Sequence, residues 1–217
     1  MTRTLIALLL LALAQPALGG AARELSWSDL KPPMGTLADP LAKQPMDVRY
    51  DLGFVAKVLA DAKSGLISST SPEYINAMAV KERLRARGVD VDPLVGAVAQ
   101  RDAEIARRGA NVNASLDGEL VRISGYALPL EFSDVGIREM LLVPYVGACI
   151  HVPPPPPNQI VYARLDDAWK VNGLYEPVWI TGRIETSSAN RALSFVDGQA
   201  NVPTGYTMRV NKVEPYK

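Results

Sequence analysis

The sequence predicts an α+β protein: an extended N-terminal arm, a helical region and a C-terminal small antiparallel β-barrel. Residues 50–115 hold apolar positions at helical spacing between capping residues. Residues 116–217 hold six short strand-like segments separated by turns. Gly125 and Gly182 interrupt two of those segments, and strand glycines favour the bends of a barrel over a sandwich. The chain has 217 residues, 48% of them hydrophobic, enough to build a core. Lys plus Arg and Asp plus Glu number 23 each, so no net charge draws it toward nucleic acid or an anionic membrane.

The elements follow in order. Residues 1–19 read as a signal peptide, with Arg3 in a short basic start and an apolar run from Leu5 to Leu13. Ala17-Leu18-Gly19 supplies small residues before a cleavage point at Gly20. The run is shorter than the roughly 20 residues a transmembrane helix needs. No later segment is long and apolar enough to anchor the chain, so a soluble exported protein with no integral membrane segment is expected. Residues 20–49 are rich in proline, glycine and alanine and read as an arm docked by Trp27 and Leu30.

Leu52, Val55, Leu59 and Ala62 space a first helix over 50–62. Ser71-Pro72-Glu73 starts a second, with serine as N-cap, proline in the first turn and an acid beside it. Gly88 ends it. Asp92-Pro93 repeats the device for a third helix running to Arg108 before Gly109. The short link 89–92 predicts an antiparallel hairpin of the last two helices. Their arginines interleave with Glu82, Asp102 and Glu104, the pattern of a solvated face and not of a nucleic-acid surface. The strands are expected at 120–128, with a bulge at Gly125, then 138–143, 148–152, 159–165, 177–185 with a break at Gly182, and 206–213.

Cys149 and His151 are the only cysteine and histidine. On a strand they share a face. Both ligate zinc or copper, and they are the candidate metal ligands. A structural zinc site needs four ligands, so Glu131, Asp134, Glu139, Asp166, Asp167, water or a second subunit must supply the rest. Two other readings stand beside this one. Cys149 packs as a small hydrophobe while His151 hydrogen-bonds the turn that follows. Alternatively, the pair is a cysteine nucleophile and its base, with Asn158 as the third member of a hydrolase set. In an oxidising compartment the lone thiol must be buried, metal-bound or joined to a second molecule.

Pro153, Pro154, Pro155, Pro156 and Pro157 follow without interruption. They lack backbone donors and favour a polyproline II rod about 15 Å long. Asn158 and Gln159 close it and are expected to cap the loop with their side chains. All seven residues form the candidate partner-binding edge. The competing reading is a stiff crossover packed on Trp169, Tyr162 or Trp179.

The block from Leu142 to Tyr162, which contains Cys149-Ile150-His151 and the five prolines, resembles an uncharacterised family of secreted bacterial proteins known as a domain of unknown function. The likeness extends to Trp27-Ser28-Asp29-Leu30, Ile123-Ser124-Gly125-Tyr126 with Pro129-Leu130, Val178-Trp179-Ile180-Thr181-Gly182 and Gly205-Tyr206-Thr207-Met208. Residues 51–113 look like a variable insertion within it. The resemblance implies a periplasmic protein and an OB-like barrel. It also implies a place beside envelope transporter components linked to metal uptake. The expected function is a soluble periplasmic accessory or binding protein that handles zinc or copper through Cys149 and His151 and docks an envelope transporter or another periplasmic protein. The alternative is a metal-free interaction module, and after it a cysteine-dependent enzyme.

Overall fold

Inward Val121, Ile123 and Ala127 alternate with outward Arg122, Ser124 and Tyr126, and this period of two sets the first long strand of a closed barrel. The computed structural model describes residues 21–131, 133–148, 154–171, 173–195 and 198–216, with the backbone alone for 189–195 and 198–200. Residues 1–19, where a signal peptide is expected, and Cys149, His151 and Pro153 lie outside the described residues.

The barrel strands are β2 (Leu120–Pro129), β3 (Ile137–Val143), β4 (Val161–Trp169), β5 (Glu176–Glu185) and β8 (Tyr206–Pro215). Their order is β2-β3-β4-β8-β5, and β5 pairs back with β2 to close the ring. Every seam is antiparallel except β4–β8, which is parallel. The expected α+β, OB-like barrel is therefore present, with one parallel seam in it. Met140, Leu142, Val161, Ile180, Ile184, Tyr206 and Met208 fill the interior with the inward residues of β2.

Three strands depart from the expected set. A short β1 (Arg23–Leu25) pairs in parallel with Val121–Ile123 of β2. Because β5 occupies one edge of β2 throughout, β1 takes the edge that β3 leaves bare. β6 (Ala189–Phe195) and β7 (Gly198–Thr204) form a separate hairpin inserted between β5 and β8. Of the strand expected at 148–152 only Ala148 is described, as a single bridge. The strand expected from Gln159 starts at Val161, because Pro157–Gln159 is one turn of 3-10 helix.

The glycines divide as well. Gly182 sits where the β5–β8 register slips by one residue. A Cβ there would lie 2.1 Å from the Arg209 carbonyl oxygen. Gly125, by contrast, runs through regular pairing. Its reason is close approach: a Cβ would meet Leu142 at 2.8 Å and the Trp27 ring at 2.9 Å.

The helices are α1 (Met46–Lys63), α2 (Pro72–Ala86) and α3 (Val91–Ala110). Ser71 caps α2 by accepting from the Tyr74 N–H at 3.2 Å, and Gly88 follows with φ of 79°. Asp92 is not the cap of α3, which begins at Val91. It instead binds Lys81 at 2.7 Å and Arg85, tying α3 to α2. Packing centres on α1, which touches both other helices more than they touch each other. Leu52 and Val55 share one cluster with Val80, Leu84, Val91 and Val98. The basic residues pair with acids, Arg83 with Asp51 and Arg87 with Asp47 among them. Among the described residues no helix is long and apolar enough to cross a membrane.

Gly182→Ala is expected to cost about 1–3 kcal/mol in urea denaturation, because backbone and not a flexible side chain fills the space. Gly96→Ala, in α3 with nothing within 4 Å of the added carbon, is expected to stabilise by about 0.5–1 kcal/mol.

Candidate functional site

Pro156 has φ of −60° and ψ of 153°, the polyproline II conformation, and the rod then bends into the 3-10 turn. Pro154 and Pro156 are exposed, Pro155 is buried and Pro157 is half-buried. Two carbonyls hold the bend. That of Pro156 accepts from the Gln159 N–H at 2.8 Å, and that of Pro157 accepts from Ile160 at 3.1 Å and Gly205 at 2.7 Å. Gly205 is required there, since a Cβ would stand 2.8 Å from the Pro157 oxygen.

Asn158 and Gln159 point inward and are buried. The Asn158 amide donates to the carbonyls of Arg108 at 3.0 Å and Asn111 at 2.9 Å. Those carbonyls belong to the end of α3, where helical partners run out. Asn158 thus caps α3 from another part of the chain. Its Oδ1 is buried with no partner among the described residues. Gln159 donates to the Trp27 carbonyl at 3.0 Å and to that of Asn158 at 2.8 Å. The loop capping expected of these two side chains is present, and it reaches further than the loop. As third member of a Cys–His–Asn set, Asn158 has its amide already committed to α3.

Three residues of the site carried no sequence signal of their role. Tyr206 is fully buried, donates to the Leu30 carbonyl at 2.6 Å and accepts from the Asn113 N–H at 2.6 Å. Asn113 also donates to the Asp29 carbonyl at 2.8 Å. Gly109, read as a helix stop, lies one residue inside α3, and a Cβ on it would stand 2.5 Å from the Pro156 ring. Its missing side chain is what lets the proline rod rest on the helix.

The rod is a wall between two clefts. One, of about 550 Å³, lies among Ala110 and Val112, Pro157, and Thr186, Pro203 and Gly205 at the hairpin base. The other, of about 330 Å³, lies among Lys31, Pro32, Met34, Ile105 and Pro156. Beside it the Arg107 and Arg108 guanidiniums hold the Glu104 carboxyl down to about 2.

The outside of β2, β3 and β4 is closed where these strands carry Leu128, Leu141, Val143 and Tyr162. Leu128, Leu141, Val143 and Tyr162 lie on the outer surface of the barrel, yet they are fully buried with Ala148, Ile160 and Val202 of β7. OB folds commonly receive ligands on this part of the barrel. Here the chain covers it itself. Uninterrupted apolar runs such as Met140-Leu141-Leu142-Val143 were the available signal, since they mark strands buried on both faces.

Cys149 and His151 follow Ala148 in the sequence and lie outside the described residues. Ala148 is buried, and its carbonyl accepts from the Tyr175 hydroxyl. Among the described residues no three of histidine, cysteine, aspartate and glutamate group to hold a metal. Of the carboxylates expected to help, Glu139 faces Arg164 and Asp166 binds Arg209.

Asn158→Ala is expected to cost about 1–3 kcal/mol, because two part-buried carbonyls at the end of α3 lose their donor. Burial pushes the Tyr206 phenol above its ordinary value of 10.0, against a smaller pull from the Asn113 N–H. A raised acid contributes stability that is intact below the unfolded value and is lost as pH rises through the folded one. Stability should therefore begin to fall near pH 10, and Tyr206→Phe should remove that alkaline slope in denaturant titrations.

A family model described as a protein of unknown function, DUF3299, matches residues 27–215, helices included. A DUF3299 family protein from Pseudomonas aeruginosa PAO1, known from a crystal structure, is 30% identical. The alignment covers 91% of this chain and 98% of that one, with a TM-score of 0.49. No curated protein matches the chain.

Proposed function

The chain belongs to the DUF3299 family, and we propose that it is an exported, periplasmic accessory protein that binds a partner through its proline wall. The observation that carries this is the contrast between the two sides of the wall. Asn158 and Gln159 fix it from behind with four donated hydrogen bonds, while Pro154 and Pro156 stand exposed between two clefts. A rod held in advance loses little entropy on docking. Covering of the outer β2–β3–β4 face by the chain itself also moves binding to this rim.

Cys149 and His151 sit in the sequence just before the wall, and in this reading they contribute to a zinc or copper site whose remaining ligands are carboxylates, water or a second subunit. A thiolate and a neutral imidazole suit either ion. The envelope transporter expected from the family likeness is the partner class. A second reading, a metal-free module in which the pair is structural, draws on the burial of Ala148 immediately before Cys149.

Metal content of the exported protein, beside Cys149→Ser and His151→Ala, separates the two. Stoichiometric zinc or copper in the parent and loss in both variants is the expected outcome. No metal, no binding below micromolar and lowered stability in both variants would leave the structural reading. Cell fractionation checks the compartment independently.

A further inference from the structure

The two clefts beside the proline wall differ in charge. Among the described residues, no charged side chain lines the cleft at the hairpin base. Lys31 and Arg108 line the cleft against α3, and no described carboxylate lines it with them. Arg108 is taken up by the fold, since it donates to Glu104 at 2.8 Å and to the Gly35 carbonyl. Glu104 is shared with Arg107, so it does not neutralise both guanidiniums. Asp29, two residues before Lys31, accepts from the backbone N–H and the hydroxyl of Ser26. The Lys31 ammonium is exposed and has no partner among the described residues.

Two large apolar side chains stand open at the same cleft. Met34 of the arm is 40% exposed and Ile105 of α3 is 50% exposed. Pro32 and Pro156 complete the apolar lining. The cleft is formed in advance. Tyr206 pins the arm at the Leu30 carbonyl, at 2.6 Å, and Arg108 pins it at that of Gly35. At about 330 Å³ the cleft is at the lower end of small-ligand pockets.

This chemistry selects the occupant. An apolar lining beside an unmatched ammonium favours an apolar group with a carboxylate next to it. Asn158, 2% exposed, also belongs to the lining, and its Oδ1 lacks a donor. A peptide brings backbone N–H groups, whereas a fatty acid brings none. We propose that the cleft takes an extended acidic segment of a partner protein, with one large apolar side chain against Met34 and Ile105 and a neighbouring carboxylate on Lys31. The proposal rests on the reading that the proline wall docks a partner. It sets the acidic side of that partner against the arm and α3, away from the hairpin.

The test titrates the full chain with a synthetic peptide of leucine followed by two aspartates, flanked by glycine and serine, and follows the Met34 and Ile105 methyl resonances. Saturable binding is expected, weakened about tenfold by Lys31→Gln and by Ile105→Asn, and weakened by added salt. Equal binding by the counterpart with asparagines, equal binding by decanoate, or no binding at millimolar peptide would overturn the proposal. So would a dimer that Ile105→Asn dissolves, since it would give the cleft to a second copy. A photo-crosslinking residue at position 154, in cells making the full chain, separates this idea from the reading beneath it. Adducts to a partner at least threefold weaker in the Lys31→Gln, Ile105→Asn double variant are expected. Adducts undiminished in that variant would overturn the cleft proposal and leave the wall reading, and no adducts at all would overturn both.

Discussion

A small set of buried and part-buried hydrogen bonds from side chains to backbone holds four distant parts of the chain at one point. Tyr206 of β8, Asn113 after α3, and Asn158 and Gln159 of the proline turn donate to carbonyls of Trp27, Asp29, Leu30, Arg108 and Asn111. Each of those carbonyls belongs to an irregular segment or a helix end. Buried there without donors, they would oppose folding. The arm, the helical region and the proline turn therefore depend on the barrel, and the barrel rim depends on them. Gly109 and Gly205 are the backbone side of the same arrangement, since either one with a side chain would push the parts apart.

Function inherits this rigidity. A polyproline turn has few backbone donors, so its own hydrogen bonding cannot fix it. Here Gly205 donates to the Pro157 carbonyl, and the Asn158 and Gln159 side chains donate to carbonyls of α3 and the arm. What remains exposed is apolar, stiff and flanked by clefts of differing character: one with hydroxyls from the hairpin base, the other with Lys31 and Met34 at its edge. In the proposed reading, that asymmetry gives a docked chain a direction.

Much of this was legible in the sequence. The helix caps at Ser71 and Gly88, the alternation of the barrel strands and the docking residues Trp27 and Leu30 are local signals, and each has its expected place. What stayed hidden was long-range. Asn158 reads as a loop cap, yet its partners are about fifty residues away. Gly125 reads as a bulge until the Trp27 ring beside it is known. The β6–β7 hairpin was missed although Asp197-Gly198 is a hairpin dipeptide, because its flanking residues are too polar and small to read as strands.

The pairing of β1 with β2 also bears on how the chain reaches this state. Glu24 and Arg122, neighbours across that seam, are 98 residues apart in the chain. The β4–β8 seam is likewise parallel and joins strands separated by β5 and the hairpin. Contacts of this span carry large loop-closure entropy before they return any stabilisation, and such topologies fold slowly. Arg23–Leu25 cannot find their place until the strand that holds Val121–Ile123 has been made. A polypeptide of this kind lingers in an open, threadable form, and it commits to its barrel only after most of its length is free to meet.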